Sequence, residues 1–556
     1  MEFFQDAPAR ANRFQTDPVF RSAFRRYVPE LMQRRSQPAL GGATVAAWLE
    51  SLGELAATRW PELAARAEAS PPTLTRHDPW GRRIDRIEVA PEWTQLVEEG
   101  RAAGVVTLPY DGSLGRHGRI LQFLALDLFM PVSATADCPL SMTDAAARVL
   151  LSESRELAAR FVPRLTARSD GMTSGQWMTE REGGSDVGRT STIAKRHPDG
   201  TWTLHGTKWF TSATTADLAL VLARPEGAGE GSRGLWLFCV ELRNADGSWN
   251  GISVRRLKDK LGTKALPTAE LDLDGTIAIP VGDGGGVRRI AAMLNITRVH
   301  AAFGGIAALG DGLGLVRSYA ASREAFGRPL RDLPLHRRWI AEQTARYEAA
   351  SALGYHAADL LGASEHGEAP HELARVVIPL AKLFCARVGT DGASQIIESF
   401  GGAGYVEDTG IPRLLRDVHV NCIWEGTTSV MALDVLRALR APGALEAVID
   451  DIRRLIAPHR DERALDEAVV AVDDAAAILE KALEVPDEAE ARRLAWGLAE
   501  TLALALVIDA AARDLREHGD ARASISARLL AARPLLAAQP TTTSADEALL
   551  AFGSPG

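Results

Sequence analysis

Apolar residues in the first third of the chain recur at the three- and four-residue spacing of helices. Residues 44–67 show this pattern and predict a helix, which Ser70-Pro71-Pro72 ends. The Asp78-Pro79-Trp80-Gly81 stretch is typical of a turn. Helical spacing then returns over 93–103, 116–129 and 138–149. We therefore predict an N-terminal helical domain over residues 41–174.

Residues 1–40, in contrast, combine prolines with scattered arginines. These arginines are Arg21, Arg25, Arg26, Arg34 and Arg35. The pattern predicts an arm that wraps the body of the protein or a partner subunit, and a solvated leader is the alternative.

Between residues 175 and 286 the spacing changes to short alternating segments separated by Gly, Asp and Pro turns. The segments lie at 190–195, 202–205, 218–223, 235–242 and 269–273. Alternation with a period of two predicts a β domain, a barrel or sandwich of antiparallel strands. The glycines at 282–286 lack the spacing of a dinucleotide-binding loop, which excludes a Rossmann fold.

Long helical patterns occupy the rest of the chain. Those over 287–317, 335–361 and 373–399 predict a four-helix bundle domain at 287–440, where glycines such as Gly304, Gly305 and Gly310 let helices approach closely. Ala- and Leu-rich patterns over 444–456, 465–483, 489–515 and 525–536 predict an additional helical domain at 441–556. The fold class is α+β multidomain.

Charge and cysteine usage narrow the class of protein. Residues 441–556 hold 12 Lys and Arg against 21 Asp and Glu, so they carry the whole net charge of −9. An acidic tail disfavours nucleic-acid binding, which needs a basic face. The four cysteines are far apart, as is usual in a reducing cytoplasm. The apolar tract 501–508 is too short to span a membrane, and no metal site is predicted.

The stretch 421–429, Asn-Cys-Ile-Trp-Glu-Gly-Thr-Thr-Ser, is the most informative for chemistry. Glu425 precedes Gly426 and three hydroxyl residues that open an apolar helix, where unpaired N–H groups attract anions. Gly426 lets the backbone approach a ligand. Ile423 and Trp424 shield the carboxylate from water, which makes it a stronger base. A loop glutamate beside an ordinary helix start is the alternative interpretation.

Four motifs resemble those of acyl-CoA dehydrogenases, and they follow one another along the chain in the same order as in that family. They are Ile423 to Thr427, Met178 to Asp186, Arg323 to Gly327 and Phe400 to Tyr405. Within that family the chain is most similar to the AidB-like, adaptive-response branch. The stretches that carry this likeness are 72–85, 256–262 and 421–426.

The resemblance implies FAD as cofactor and a set of residues around it. Glu425 would be the base, and Arg298 and Gly426 would contact the substrate. The cofactor-binding residues would be Gln176, Met178, Thr179, Ser185, Phe210, Thr211, Ser212, Arg323, Phe326, Gly401, Gly402, Thr427, Thr428 and Ser429. Arg323 would reach the pyrophosphate of a neighbouring subunit's flavin, which implies a homo-oligomer, a dimer or a tetramer.

The function this predicts is α,β-dehydrogenation of an acyl thioester, with the electron acceptor unassigned. One alternative is an alkylation-response flavoprotein of the AidB-like type that binds double-stranded DNA and dehydrogenates weakly. Another is a non-catalytic acyl-lipid-binding protein. A nitroalkane-oxidase chemistry on the same fold matches less well, because that branch uses an aspartate as base.

Overall fold

A computed structural model describes residues 5–33, 36–538 and 542–553. Arg34 and Arg35 of the predicted arm lie outside these ranges. The helices of the first part are α1 Arg13–Thr16, α2 Pro18–Tyr27, α3 Pro29–Met32, α4 Val45–Ala57, α5 Arg59–Ala69, α6 Pro91–Ala102, α7 His117–Phe129, α8 Asp137–Glu153 and α9 Arg155–Leu165. The helix predicted over 44–67 is two helices, because the chain bends at Thr58 ahead of Trp60-Pro61.

The described part of the arm packs on the body of the same chain. Arg13 is buried and forms ion pairs with Asp17 and with Asp127 of α7. Arg26 pairs with Asp509, 2.8 Å away, in the C-terminal part. A buried charge must be paired, so these contacts attach the arm to two distant regions of the fold.

A hairpin of β1 Thr73–His77 and β2 Arg83–Glu88 projects between α5 and α6. Its turn is the predicted one: the Asp78 carboxylate accepts hydrogen bonds from the main-chain N–H groups of Trp80 and Arg82. The Trp80 side chain is 93% exposed at the tip.

The middle of the chain forms one seven-stranded sheet. Its strands are β3 Ser174–Trp177, β4 Ile193–Arg196, β5 Trp202–Ser212, β6 Leu218–Pro225, β7 Trp236–Glu241, β8 Ile252–Leu257 and β9 Thr268–Pro280. The strands β6, β4, β5, β9 and β7 pair in a closed ring, since β7 also pairs with β6. The sheet is therefore barrel-like, which confirms the predicted fold class for this part.

Long helices follow the barrel. They are α10 Gly286–Arg289, α11 Ala291–Ser322, α12 Pro334–Glu365, α13 His371–Ser399, α14 Ile411–Val418 and α15 Thr428–Leu439, with a small hairpin of β10 Glu324–Ala325 and β11 Arg328–Pro329 after α11. A Cβ on Gly389 of α13 would lie 2.4 Å from the Cα of Gly305 on α11. These two glycines therefore allow the backbones of α11 and α13 to touch.

The C-terminal helices are α16 Ala444–Ile456, α17 Asp466–Glu484, α18 Ala491–His518, α19 Arg522–Ala531 and α20 Ser544–Phe552. In the described chain, α11 and α18 are long and apolar enough to cross a membrane. Their most apolar windows are 89% and 83% buried inside the protein, as expected for central helices of a folded core. Helix α18 packs against α12, α13 and α15 and so joins the C-terminal part to the bundle.

Candidate active site

A cavity of about 620 Å³ lies between the barrel, α8, α11 and the loop that precedes α15. Each element contributes side chains to the cavity wall. The barrel supplies polar side chains and Phe210, α8 supplies Cys138, Ser141 and Met142, and the loop supplies Trp424 and Glu425. A space of this size suits a drug-sized ligand or cofactor.

The loop holds Glu425 in an uncommon backbone conformation. Its φ is 57°, in the left-handed region that non-glycine residues seldom adopt, and Gly426 follows at 107°. A Cβ on Gly426 would lie 2.5 Å from the methyl carbon of Met431. Glycine is therefore required directly after Glu425, and the turn aims the carboxylate at the cavity.

Two side chains from other elements bind that carboxylate. Thr297 of α11 donates a hydrogen bond of 2.7 Å from Oγ1 to Oε2 of Glu425. The amide Nε2 of Gln176, at the end of β3, lies 3.5 Å from Oε1, which is a weaker contact. Glu425 is thereby placed between the bundle and the barrel.

Burial raises the pKa of Glu425 above its ordinary value, because the charged form loses water. The Thr297 hydroxyl, the charges of Arg298 and Lys382 and the Gln176 amide act in the opposite direction. A carboxylate with a raised pKa is a better proton acceptor than one in water.

Arg298, the predicted substrate contact, points away from the cavity lining. Its guanidinium forms an ion pair of 2.8 Å with Asp434 of α15, and Arg375 of α13 approaches the same carboxylate at 2.6 Å. The hydrogen bond from Arg375 and the charge of Arg298 lower the pKa of Asp434 although burial opposes them. Arg298 thus lies behind the catalytic loop, where it links α11 to α15.

Of the barrel residues predicted to contact the flavin ring, all except Thr211 line the cavity. The six that line it are Gln176, Met178, Thr179, Ser185, Phe210 and Ser212. Thr211 does not, because successive residues of β5 face opposite sides of the sheet. Its hydroxyl is buried and donates to the main-chain oxygen of Ala269.

These residues suit an isoalloxazine ring. The Phe210 ring is 57% exposed at the cavity, and an aromatic face stacks on a flat heterocycle. The amide oxygen Oε1 of Gln176 is buried and has no hydrogen-bond partner in the described chain. Buried polar atoms are normally paired, so a ligand that donates a hydrogen bond would complete this wall.

Thr427, Thr428 and Ser429 begin α15, as predicted. Thr427 is the N-cap residue, and its hydroxyl accepts a hydrogen bond of 3.4 Å from the Val430 N–H. Thr427 lines the cavity, whereas Thr428 and Ser429 are one and two positions further along the helix.

Arg323, Phe326, Gly401 and Gly402 lie at the other end of the bundle. Arg323 ends α11, 26 residues after Thr297, which corresponds to about 39 Å of helix. The Phe326 side chain is 94% exposed on the β10–β11 hairpin, and Gly401 and Gly402 follow α13. These four residues are therefore far from the cavity of their own chain.

Sequence reasoning missed several polar groups at the site. Thr297 was given no role from the sequence, because its bond to Glu425 spans 128 residues. Lys382 was also missed. It is the one charged residue between Arg375 and Arg387 of α13, a signal that could have identified it. Lys258, Lys260 and His300 also line the cavity.

Family models match three parts of the chain between residues 6 and 440. Residues 6–170 match the adaptive response protein AidB N-terminal domain, 175–276 the acyl-CoA dehydrogenase middle domain and 284–440 the acyl-CoA dehydrogenase C-terminal domain. A barrel between helical domains, with a carboxylate on the wall of a flavin-sized cavity, defines a flavin-dependent dehydrogenase.

The relatives agree with this class. Acyl-CoA dehydrogenase family member 11 of Caenorhabditis elegans is 39% identical over 535 residues, 91% of this chain and 85% of the relative. The putative acyl-CoA dehydrogenase AidB of Escherichia coli K12 is 33% identical, over 76% of this chain and 79% of its own. The chain belongs to the acyl-CoA dehydrogenase family and is an FAD-dependent oxidoreductase of its AidB-like branch.

A solved structure has the same architecture over nearly the whole chain. The crystal structure of Caenorhabditis elegans ACDH-11 in complex with C11-CoA superposes with a TM-score of 0.91, at 37% identity, and covers 97% of this chain and 94% of that one. These comparisons confirm the predicted family, fold and cofactor, and they give no support to DNA binding.

Proposed function

We propose that Glu425 is the base that removes the α-proton of an acyl thioester bound in the cavity. The observation that carries this proposal is the place of its carboxylate. It lies on the cavity wall, held by Thr297 and within reach of Gln176, while the flavin-side residues form the neighbouring wall. A substrate carbon between these walls has a proton acceptor on one side.

Gln176, Met178, Thr179, Ser185, Phe210 and Ser212 would hold the isoalloxazine ring of FAD. When bound, FAD supplies the acceptor for the β-hydrogen and its two electrons. Glu425 takes the α-hydrogen as a proton, so the substrate loses two hydrogens and gains a carbon–carbon double bond. Gln176 orients both sides, because its amide reaches Glu425 while its carbonyl oxygen is available to the ring.

An α-proton of a thioester is too weakly acidic for a carboxylate in water, so the site must do two things. It raises the basicity of Glu425 by burial. It must also stabilise the negative charge that develops on the thioester oxygen, which main-chain N–H groups of the catalytic loop would do. Gly426 allows this approach because it has no side chain.

The substrate we propose is an acyl-CoA with an acyl chain near the length found in the C11-CoA complex of the ACDH-11 relative. The cavity offers an apolar lining for such a chain: Met130, Met142, Leu261, Leu266, Ile423 and Trp424. Lys258, Lys260, Arg416 and His419 add basic side chains to the same lining, and Asp137 and Asp259 add acidic ones. Lys258 and Arg416 are already paired with Glu270 and Glu407.

We further propose that the site is completed by a second copy of the chain. Arg323 lies about 39 Å of helix from Thr297, and Phe326, Gly401 and Gly402 lie on the segments that follow α11 and α13. These four residues would hold the nucleotide half of a neighbour's FAD. A guanidinium fork and exposed glycine backbone suit a pyrophosphate.

The four buried, free cysteines agree with a cytoplasmic protein.

The test is anaerobic mixing of the FAD-loaded protein with saturated acyl-CoAs of increasing chain length, followed by loss of flavin absorbance. We expect reduction, fastest near C11, and the matching 2,3-enoyl-CoA as product. A flavin that stays oxidised with every thioester would instead favour the acyl-lipid-binding alternative.

A further inference from the structure

A buried lysine supports the catalytic loop from behind. Lys382 lies on α13, and its side chain is 1% exposed. Its ammonium donates a hydrogen bond to the main-chain oxygen of Gly426, the residue that follows Glu425. Lys382 therefore contacts the residue next to the proposed base, and its own side chain does not line the cavity.

A buried ammonium is costly unless an anion compensates it. The carboxylate of Asp434 on α15 is already bound by Arg298 and Arg375 through its two oxygens. In the part of the chain that the structure describes, Lys382 forms no ion pair with any carboxylate. Burial lowers the pKa of Lys382 to about 8, and the neighbouring Cys422 thiol and Glu425 carboxylate oppose that shift.

Charged and titratable groups from three helices face Glu425, and they differ in the partners that bind them. Arg298 faces it from α11, Lys382 from α13 and the Cys138 thiol from α8, while Cys422 faces Lys382 from the loop. Arg298 shares the carboxylate of Asp434 with Arg375. Burial raises the pKa of Cys138 above its ordinary value, so this thiol stays neutral. Arg298 and Lys382 are therefore the two cations that act on Glu425, and Lys382 differs from Arg298 in forming no ion pair among the described residues.

The backbone gives a second reason for this contact. Glu425 and Gly426 have φ values of 57° and 107° in succession. A left-handed glutamate persists only where the surrounding structure holds it there. The hydrogen bond to Gly426 is a direct attachment of that turn to the rigid helix α13.

We propose that Lys382 is a positioning residue for Glu425. Its hydrogen bond to Gly426 keeps the loop in the turn that aims the carboxylate, and its charge favours the ionised, proton-accepting form of Glu425. This inference rests on the proposed function, since it concerns the same base.

The test compares Lys382→Gln, Lys382→Arg and Lys382→Met with the wild type at equal flavin content. The exposed Lys481→Met on α17 is the matched control. The readout is the pH profile of kcat/KM for C11-CoA, whose acid limb reports the pKa of the base in the free enzyme. A purely structural lysine would change the amount of active enzyme without moving that limb.

We expect Lys382→Gln, which keeps a donor but loses the charge, to move the acid limb up by about one pH unit. Lys382→Met should also lower kcat by about tenfold, because it loses the hydrogen bond as well. Lys382→Arg keeps both and should leave the limb in place. If the Gln and Met variants hold no flavin, Lys382→Arg is compared with the wild type at equal flavin content. A wild-type limb together with wild-type kcat per bound flavin is the rescue that supports the proposal, and a shifted limb or a lowered kcat per bound flavin overturns it.

An acid limb that stays unmoved in Lys382→Gln would overturn the role of Lys382. Glu425→Gln, measured beside it, separates the two hypotheses. If that variant is inactive while the limb of Lys382→Gln is unmoved, only the Lys382 inference fails. If Glu425→Gln is fully active, the proposed function itself fails.

Discussion

Thr297 of α11 donates a hydrogen bond of 2.7 Å to the carboxylate of Glu425, 128 residues further along the chain. The bond stabilises the ionised carboxylate and fixes its direction. It lowers the pKa of Glu425 against the larger effect of burial. Both effects can be measured by removing the hydroxyl alone.

Thr297→Val keeps the shape of the side chain and removes the donor. We expect the acid limb of the kcat/KM profile to move to higher pH, and kcat to fall about tenfold because the carboxylate is less well aimed. Thr297→Ser keeps the hydroxyl and is the matched control. A Val variant with the wild-type profile would show that the bond has no role in turnover.

The buried pair of Lys208 and Glu180 makes a stability prediction. Their side chains are 0% and 2% exposed and 2.7 Å apart, and Glu180 is part of the 178–186 motif. Lys208→Met would leave Glu180 buried without its cation. We expect the free energy of unfolding to fall by about 3 to 5 kcal/mol, measured by urea denaturation.

The exposed pair of Arg255 and Asp272 is the control for that experiment. Arg255→Met should change the free energy of unfolding by less than about 1 kcal/mol. Equal losses in the two variants would contradict the account of the buried pair.

Glu500 makes a prediction about pH. Burial raises its pKa to about 7 in the folded protein, so the folded state keeps a proton that the unfolded chain loses near pH 4.5. The free energy of unfolding must therefore fall as the pH rises between these values. Arg346 and Arg533 face the carboxylate and limit the effect.

Glu500→Gln removes this titration. We expect the variant to gain about 1 to 3 kcal/mol relative to the wild type between pH 4.5 and pH 8. Urea midpoints at the two pH values provide the measurement. A difference between variant and wild type that is constant with pH would exclude a raised pKa at Glu500.

Phe326 tests the proposed second subunit. Its ring is 94% exposed at the end of the bundle opposite the cavity. If a neighbour's FAD covers it, Phe326→Ser should lose most of its flavin on gel filtration. Phe552→Ser, which changes another exposed aromatic residue on α20, should keep it. Light scattering that finds a wild-type monomer with full flavin would refute the shared site.

Much of the architecture is readable from local pattern. Period-two alternation indicated the barrel, and the glycines of α11 indicated that another helix approaches closely there, because both signals are local. That this helix is α13 is known only from the structure. The motif around Glu425 supplies only part of its turn, because Gly426 adopts a positive φ readily whereas the positive φ of Glu425 depends on the structure around it.

Contacts between distant segments could not be predicted in the same way. The bonds of Thr297 and Lys382 to the catalytic loop depend on how α11 and α13 align with it, which neither helix encodes alone. Arg298 was assigned to substrate although its charge is used by Asp434. Alternation with Phe210 and Ser212 could have placed Thr211 on the side of β5 that faces away from the cavity, where it is fully buried.

The most direct test of the central claim is one anaerobic turnover of Glu425→Gln with C11-CoA. The amide keeps the size of the side chain but cannot accept the α-proton. We expect the variant to bind FAD and to reduce it about 10² to 10⁴ times more slowly than the wild type. The control is Glu372→Gln, which changes an exposed carboxylate of α13 and should reduce flavin at the wild-type rate. Flavin reduction at the wild-type rate in Glu425→Gln would contradict the assignment of Glu425 as the base.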